Sequence, residues 1–218
     1  MLEPWNVAYA KPKQLSIDQI HALVEAFVEA AKRALKAGVD FIEIHGAHGY
    51  LIHSFLSPAT NTRSDEYGGP ALENRARFPL EIVRALRATI PDSIPLFYRV
   101  SGTDWLHRGQ GLEIEEVVEF AKMLQREGVD LLDVSSGGNH KDQKIPSAPG
   151  FQVPLAAAVK KGVPGLTVGT VGLITDGMHA NEVCHLSHRL YQMIIEGPDS
   201  GERRCGCCVC CKGIFEGS

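Results

Sequence analysis

No cysteine precedes residue 184 in this 218-residue chain; Cys184, Cys205, Cys207, Cys208, Cys210 and Cys211 all follow it. A disulfide framework would spread its thiols through the fold, so the body of the chain must be held by its core. There is no excess of positive charge. The 22 basic against 26 acidic residues leave a formal net charge of −4, which offers no field for nucleic-acid phosphates. No apolar run approaches the roughly 20 residues that span a bilayer. The opening MLEPWNVAYAKPKQ lacks the charged start and apolar centre of a signal peptide. A cytoplasmic chain with no membrane partner is the expectation. What is present, 44% hydrophobic and 22% charged residues, is an ordinary globular composition of a length suited to one domain.

Ser16 and Gln19 form a capping-box pattern ahead of a helical period through Ile20, Leu23, Val24, Phe27, Val28, Ala31 and Leu35. Gly38 should end that helix, and a strand over 41–45 should follow. A second helix is expected over 73–90, a strand over 95–100 and a third helix over 114–127. A strand over 131–134 then runs into SSGG, a short helix covers 153–161, and a last strand spans 166–171. Strand and helix thus alternate with short connections, which argues for right-handed βαβ units and a parallel sheet. A closed (β/α)8 barrel needs eight strands and about 250 residues. Four visible strands leave either a small open α/β sheet or part of a barrel.

The strand over 41–45 ends on His45, with His48 and Tyr50 close behind and a Gly/Pro/Asp/Arg-rich loop to 69. Two imidazoles and a phenol would stand where a buried strand meets solvent, the usual place for active sites in parallel α/β proteins. H-x-x-H also occurs in zinc sites, but no third ligand follows at helical spacing. Arg99, inside an apolar strand, must be paired with something. Arg63, Asp65, Asn74 and Arg75 read as a structural polar network, and His53 and His107 as surface histidines. VGTVG (168–172) lacks the spacing and downstream acidic residue of a dinucleotide-binding loop.

HGAHGYLIHSFLSP (45–58), NTRSDEYGG (61–69) and ENRARF (73–78), with LFYRVSGTDW, GVDLLDVSSGG and VGTVGLITDG further on, resemble the Old Yellow Enzyme family of FMN-dependent ene-reductases, in its YqjM-like branch. The resemblance covers Tyr9 to Gly177. It implies a (β/α)8 TIM barrel with FMN at the carboxyl ends of the strands and NAD(P)H as hydride donor. It also implies a small-molecule substrate, an enone or related electron-poor alkene. By this resemblance His45 and His48 would bond the substrate carbonyl, with His45 also near the flavin, and Tyr50 would be the proton donor. Arg99 would lie at the flavin pyrimidine edge, and Gly172 where backbone amides approach the phosphate. Hydride delivery to the β-carbon builds enolate charge on the carbonyl oxygen, which is why two fixed donors belong there.

The chain departs from the family pattern at both ends. Three early strands and the eighth strand, with its Gly-Arg pair, are not seen, so the barrel is partial: about four βα units, strands four to seven by family order. The expected division is a partial-barrel FMN oxidoreductase domain over 1–177 and a divergent, irregular, Cys-rich tail over 178–218. CGCCVCC (205–211) could bind soft metals, be palmitoylated, or be an unstructured tail. The alternative to a catalyst is a non-catalytic truncated barrel that does not retain flavin. In either case, open sheet edges could bring two copies together.

Overall fold

The computed structural model describes residues 12–184; the thiols from Cys205 onward lie outside the described residues. Helix α1 (Ile17–Lys36) opens on the expected capping box: Gln19 N donates to Ser16 Oγ at 3.2 Å, and Ser16 N donates to Gln19 Oε1 at 2.9 Å. Gly38, at φ +86°, turns the chain out of it. Then come β1 (Ile42–Gly46), α2 (Leu51–Leu56), α3 (Leu72–Arg75), α4 (Arg77–Arg87), β2 (Leu96–Ser101) and α5 (Ile114–Arg126). They are followed by β3 (Leu131–Ser135), α6 (Val153–Gly162) and β4 (Thr167–Thr170). The helix expected over 73–90 is two helices broken at Ala76. Pro79 has no N–H to give the carbonyl of residue 75, so the break falls there.

The four strands are all parallel and lie side by side in chain order, β1-β2-β3-β4. Right-handed crossovers that always step the same way set their helices on one face, as in a barrel wall. That face is the core. Ile44, Leu96, Tyr98, Val100, Leu132 and Val134 are buried against Phe78, Ile82, Val83 and Leu86 of α4, Val117, Phe120 and Leu124 of α5, and Val159 of α6. The Tyr98 and Phe120 rings meet edge to face at 5.6 Å. A Cβ on Gly46 would come within 2.1 Å of the Tyr98 hydroxyl, so only glycine lets that ring cross under β1.

The opposite face carries the other alternate residues. Across it run the rows Glu43–Phe97–Leu131–Thr167 and His45–Arg99–Asp133–Gly169. This face is open at β1 and β2, where His45 is exposed and Phe97 and Arg99 are only partly buried and Phe41, 51% exposed, stacks on Phe97 at 4.7 Å; at β3, Leu131 and Asp133 are buried. The described chain is therefore an arc of parallel (β/α) barrel. Residues 177–184 are helical, with Asp176 Oδ1 accepting from His179 N at 2.9 Å. No helix of the described residues is long and apolar enough to cross a membrane.

Candidate active site at the carboxyl ends of the strands

The chain leaves β1 through His45 and Gly46 and makes a sharp turn before α2. His48 adopts φ +63° and Gly49 φ +73°. Left-handed backbone is costly for a residue with a Cβ, and two contacts hold it. His48 N donates to Ser101 Oγ at 2.9 Å, and that hydroxyl donates to Gly137 O at 2.8 Å. Gly49 lies so close to the loop after β3 that a Cβ there would sit 2.2 Å from Gly138 O. The turn is thus clamped onto the ends of β2 and β3.

That clamp brings the candidate residues together. The His45 and His48 rings lie 5.0 Å apart and the His45 and Tyr50 rings 5.8 Å apart. Tyr50 starts α2 and is 59% exposed at the mouth. His48 is half-buried, and its Nε2 lies 2.7 Å from Ser135 Oγ. Desolvation, followed by the positive charge of Arg99, lowers the His45 pKa from 6.5; desolvation, followed by His45 and Arg99, lowers that of His48. Both shifts favour the neutral imidazole.

Arg99, beside His45 in the same row, has the ion-pair partner that its position demands. Its Nε donates to Asp133 Oδ2 at 2.6 Å, its Nη2 meets the same carboxylate, and Glu43 Oε1 stands 3.5 Å away. Burial raises the Glu43 pKa, Arg99 lowers it and Asp133 raises it, for a net upward shift. Gly172, past the end of β4, sits at φ +117° with its carbonyl accepting from Gly150 N at 2.8 Å. A Cβ there would meet Gln152 Nε2 at 2.9 Å. His45, His48, Tyr50 and Arg99 form one group on β1, β2 and the turn between β1 and α2, while Gly172 stands three strands away at the same end of the sheet.

Two sequence readings divide here. Arg63, Asp65 and Arg75 are structural as expected: Arg63 grips Asp65 through Nε and Nη2 and donates to Leu15 O. Arg75, 1% exposed, bonds Leu56 O and Glu116. Asn74 is only half-buried and adds no bond to them among the described residues. His107 is exposed as expected. His53 is not a surface histidine. It is 0% exposed, with Nε2 2.8 Å from Asp104 Oδ1. Asp104 Oδ2 also accepts from Ser57 Oγ at 2.5 Å and from Leu112 N at 2.8 Å. Burial works against the Asp104 charge, but these bonds outweigh it and hold its pKa below 3.8. The one hint was a histidine inside the apolar run LIHSFL, since a polar group there needs a partner.

A parallel barrel wall with polar side chains gathered at its strand ends is the arrangement of (β/α)-barrel proteins, whose enzymes place their sites at that rim. The profile of the NADH:flavin oxidoreductase / NADH oxidase family matches residues 3–191, and the chain belongs to that family. It is 48% identical over 180 residues to a protein of Bacillus pumilus named NADPH dehydrogenase, covering 83% of this chain and 51% of that one. It is 45% identical over 183 residues to NADH:flavin oxidoreductase FG08077 of Gibberella zeae, covering 79% of this chain and 44% of the other. Among solved structures, morphinone reductase superposes with TM-score 0.61 at 28% identity, over 82% of this chain and 45% of that one. A 2-naphthoyl-CoA reductase complex gives 0.73 at 29%, over 80% and 27%. The chain spans about half the length of the curated relatives it matches.

Proposed function

We propose that the chain carries the substrate end of an FMN site and serves reduction of the activated C=C bond of an α,β-unsaturated carbonyl compound, with NAD(P)H as reductant. The observation that carries this reading is the grouping of His45, His48 and Tyr50 at the strand ends beside Arg99. The residues suit a flavin. Arg99 supplies a permanent cation whose Nη1 bonds no described residue and is not enclosed. Gly172, at φ +117°, holds a left-handed backbone close to Gln152 and Phe151 that a Cβ would not fit.

When bound, FMN supplies the two-electron redox chemistry. The protein's part is positional and electrostatic. Neutral His45 and His48 present ring N–H groups to one carbonyl oxygen, where negative charge grows as the β-carbon is reduced. A fixed donor of this kind is worth about 3 kcal/mol. Tyr50, exposed at the mouth, gives its hydroxyl proton to the α-carbon. Arg99 would hold the cofactor through its permanent cation, and Asp133 keeps the guanidinium aimed. The use of NAD(P)H supports a cytoplasmic setting. The unpaired outer edges of β1 and β4 among the described residues support association of two copies, which size-exclusion chromatography reads directly.

Incubation with FMN, desalting and an absorbance spectrum test the reading. Flavin bands should remain on the protein and be lost in Arg99→Ala, and the loaded chain should oxidise NADPH with a cyclic enone present. Protein that stays colourless in excess FMN would favour the second reading, a partial barrel that retains no flavin. The exposure of Phe41 and the inner face open at β1 and β2 are what support that alternative.

A further inference from the structure

Asp104 is 1% exposed and His53 and Ser57 are 0% exposed, so none of the three is open to a ligand at the mouth. They hold one another instead. Asp104 Oδ1 accepts from His53 Nε2 at 2.8 Å, and Oδ2 accepts from Ser57 Oγ at 2.5 Å and from Leu112 N at 2.8 Å. Burial works against its charge, but these bonds keep its pKa below 3.8. An ionised carboxylate has only lone pairs to offer, so all three partners must donate to it. Both side-chain donors belong to α2: His53 lies inside the helix and Ser57 is its C-cap, while Tyr50 is its N-cap. The Leu112 bond ties in the loop between β2 and α5, where Asp104 N also donates to Leu112 O at 3.3 Å. A third segment of the rim leans on the same carboxylate. A Cβ on Gly138, in the loop after β3, would lie 2.6 Å from Asp104 Oδ1, and one on Gly49 would lie 2.2 Å from Gly138 O. The turn that carries His48 thus rests on Gly138, and Gly138 on Asp104.

We infer that Asp104 is a positioning residue for the rim: through His53 and Ser57 it holds α2, and through Gly138 it backs the turn at Gly49, so that His48 and Tyr50 keep their places at the strand ends. The need for such a tether is local. Six residues make α2, too few for a helix that is stable by itself. Tyr50 is 59% exposed and its hydroxyl bonds no described residue, so its place is set by the turn and the helix on either side of it. Ile52, Phe55 and Leu56 also bury that helix against the core. Apolar contact is non-directional, whereas two bonds to one buried carboxylate fix how the helix is turned. Bonds to an ionised acceptor are the stronger kind. Only the use of Tyr50 as proton donor rests on the function proposed above.

Native-state hydrogen exchange and tyrosine ring spectra of the flavin-free chain test this without any turnover. His53→Leu removes the donor and keeps apolar bulk, while His53→Gln keeps an N–H that reaches the carboxylate. In His53→Leu the amides of His48, Ser54 and Ser57 should exchange about 10-fold faster relative to those of α4 and α5. The ring signals of Tyr50, assigned by their loss in Tyr50→Phe, should move as well. In His53→Gln both readouts should return toward the unsubstituted chain. A residue that merely added stability would speed all these amides alike and leave the Tyr50 signals in place. That result would overturn the inference, as would a glutamine variant no closer to the unsubstituted chain than the leucine one. If the leucine variant fails to fold, Ser57→Ala, which removes the other donor of α2, gives the same readouts. Unchanged exchange at His48 and Ser54 in that variant would then overturn it. Absence of flavin binding or enone reduction would instead defeat the functional reading and leave these measurements as they are.

Discussion

The two faces of one sheet have been given opposite tasks. Tyr98 and Arg99 are neighbours on β2, yet Tyr98 is 0% exposed among α4 and α5 side chains while the Arg99 side chain is 31% exposed in a polar row. The helix-facing side is apolar and closely packed, and it supplies stability. The side facing the barrel axis holds Glu43, His45, Arg99, Asp133 and Ser135, groups costly to bury without partners, and it is the side to which the proposed function assigns binding and chemistry. The period-two alternation of a strand lets the six residues of β2 serve both. Substitution should therefore have separable consequences on the two faces.

The largest effect belongs to the packed face. Phe120→Ala should cost about 3–5 kcal/mol, read from urea denaturation, whereas His45→Ala should stay within about 0.5 kcal/mol. Similar losses from both would erase the distinction between the faces. Asp104→Ala should come next, at about 3 kcal/mol, because it leaves buried His53, Ser57 and the Leu112 amide without their acceptor and each such group costs about 1–3 kcal/mol. A near-neutral result would mean that solvent reaches the cluster.

Tyr50→Phe should leave the denaturation midpoint unchanged and slow substrate reduction by about 100-fold, while flavin reduction by NADPH proceeds as before. Equal slowing of both half-reactions would remove Tyr50 from the proton-donor role. The smallest effect is in pH. His45 and His48 have folded pKa values below the 6.5 of a free imidazole. As pH falls through 6.5 the unfolded chain takes up protons first, so stability declines from there until both are protonated in the folded state as well. Their contribution is fully present above pH 6.5. The double variant His45→Gln/His48→Gln should flatten that part of the stability curve.

Much of this was legible in residue order. The capping box at Ser16, the four apolar strands and the glycine stops predict the parallel sheet, and HGAHGY predicts the rim group. Other parts could not be read that way. LIHSFL is too short for periodicity to separate helix from loop, so α2 was hidden. His53 and Asp104 are 51 residues apart, and His48 and Ser135 are 87 apart. Spacing within a motif says nothing of such partners, because the sheet register and the turn at Gly49 bring them together. The split of α3 from α4 was readable after all, in Pro79.

The central claim is that the axis-facing rim, and not the helix-covered face, is where flavin meets this chain. Adding FMN to the 15N-labelled chain and following backbone amide shifts tests it directly. The account predicts changes concentrated at 45–50, 99–103, 135–138 and 170–172, with the amides of α4 and α5 unmoved. Shifts centred on those helices, or none at saturating FMN, would contradict it.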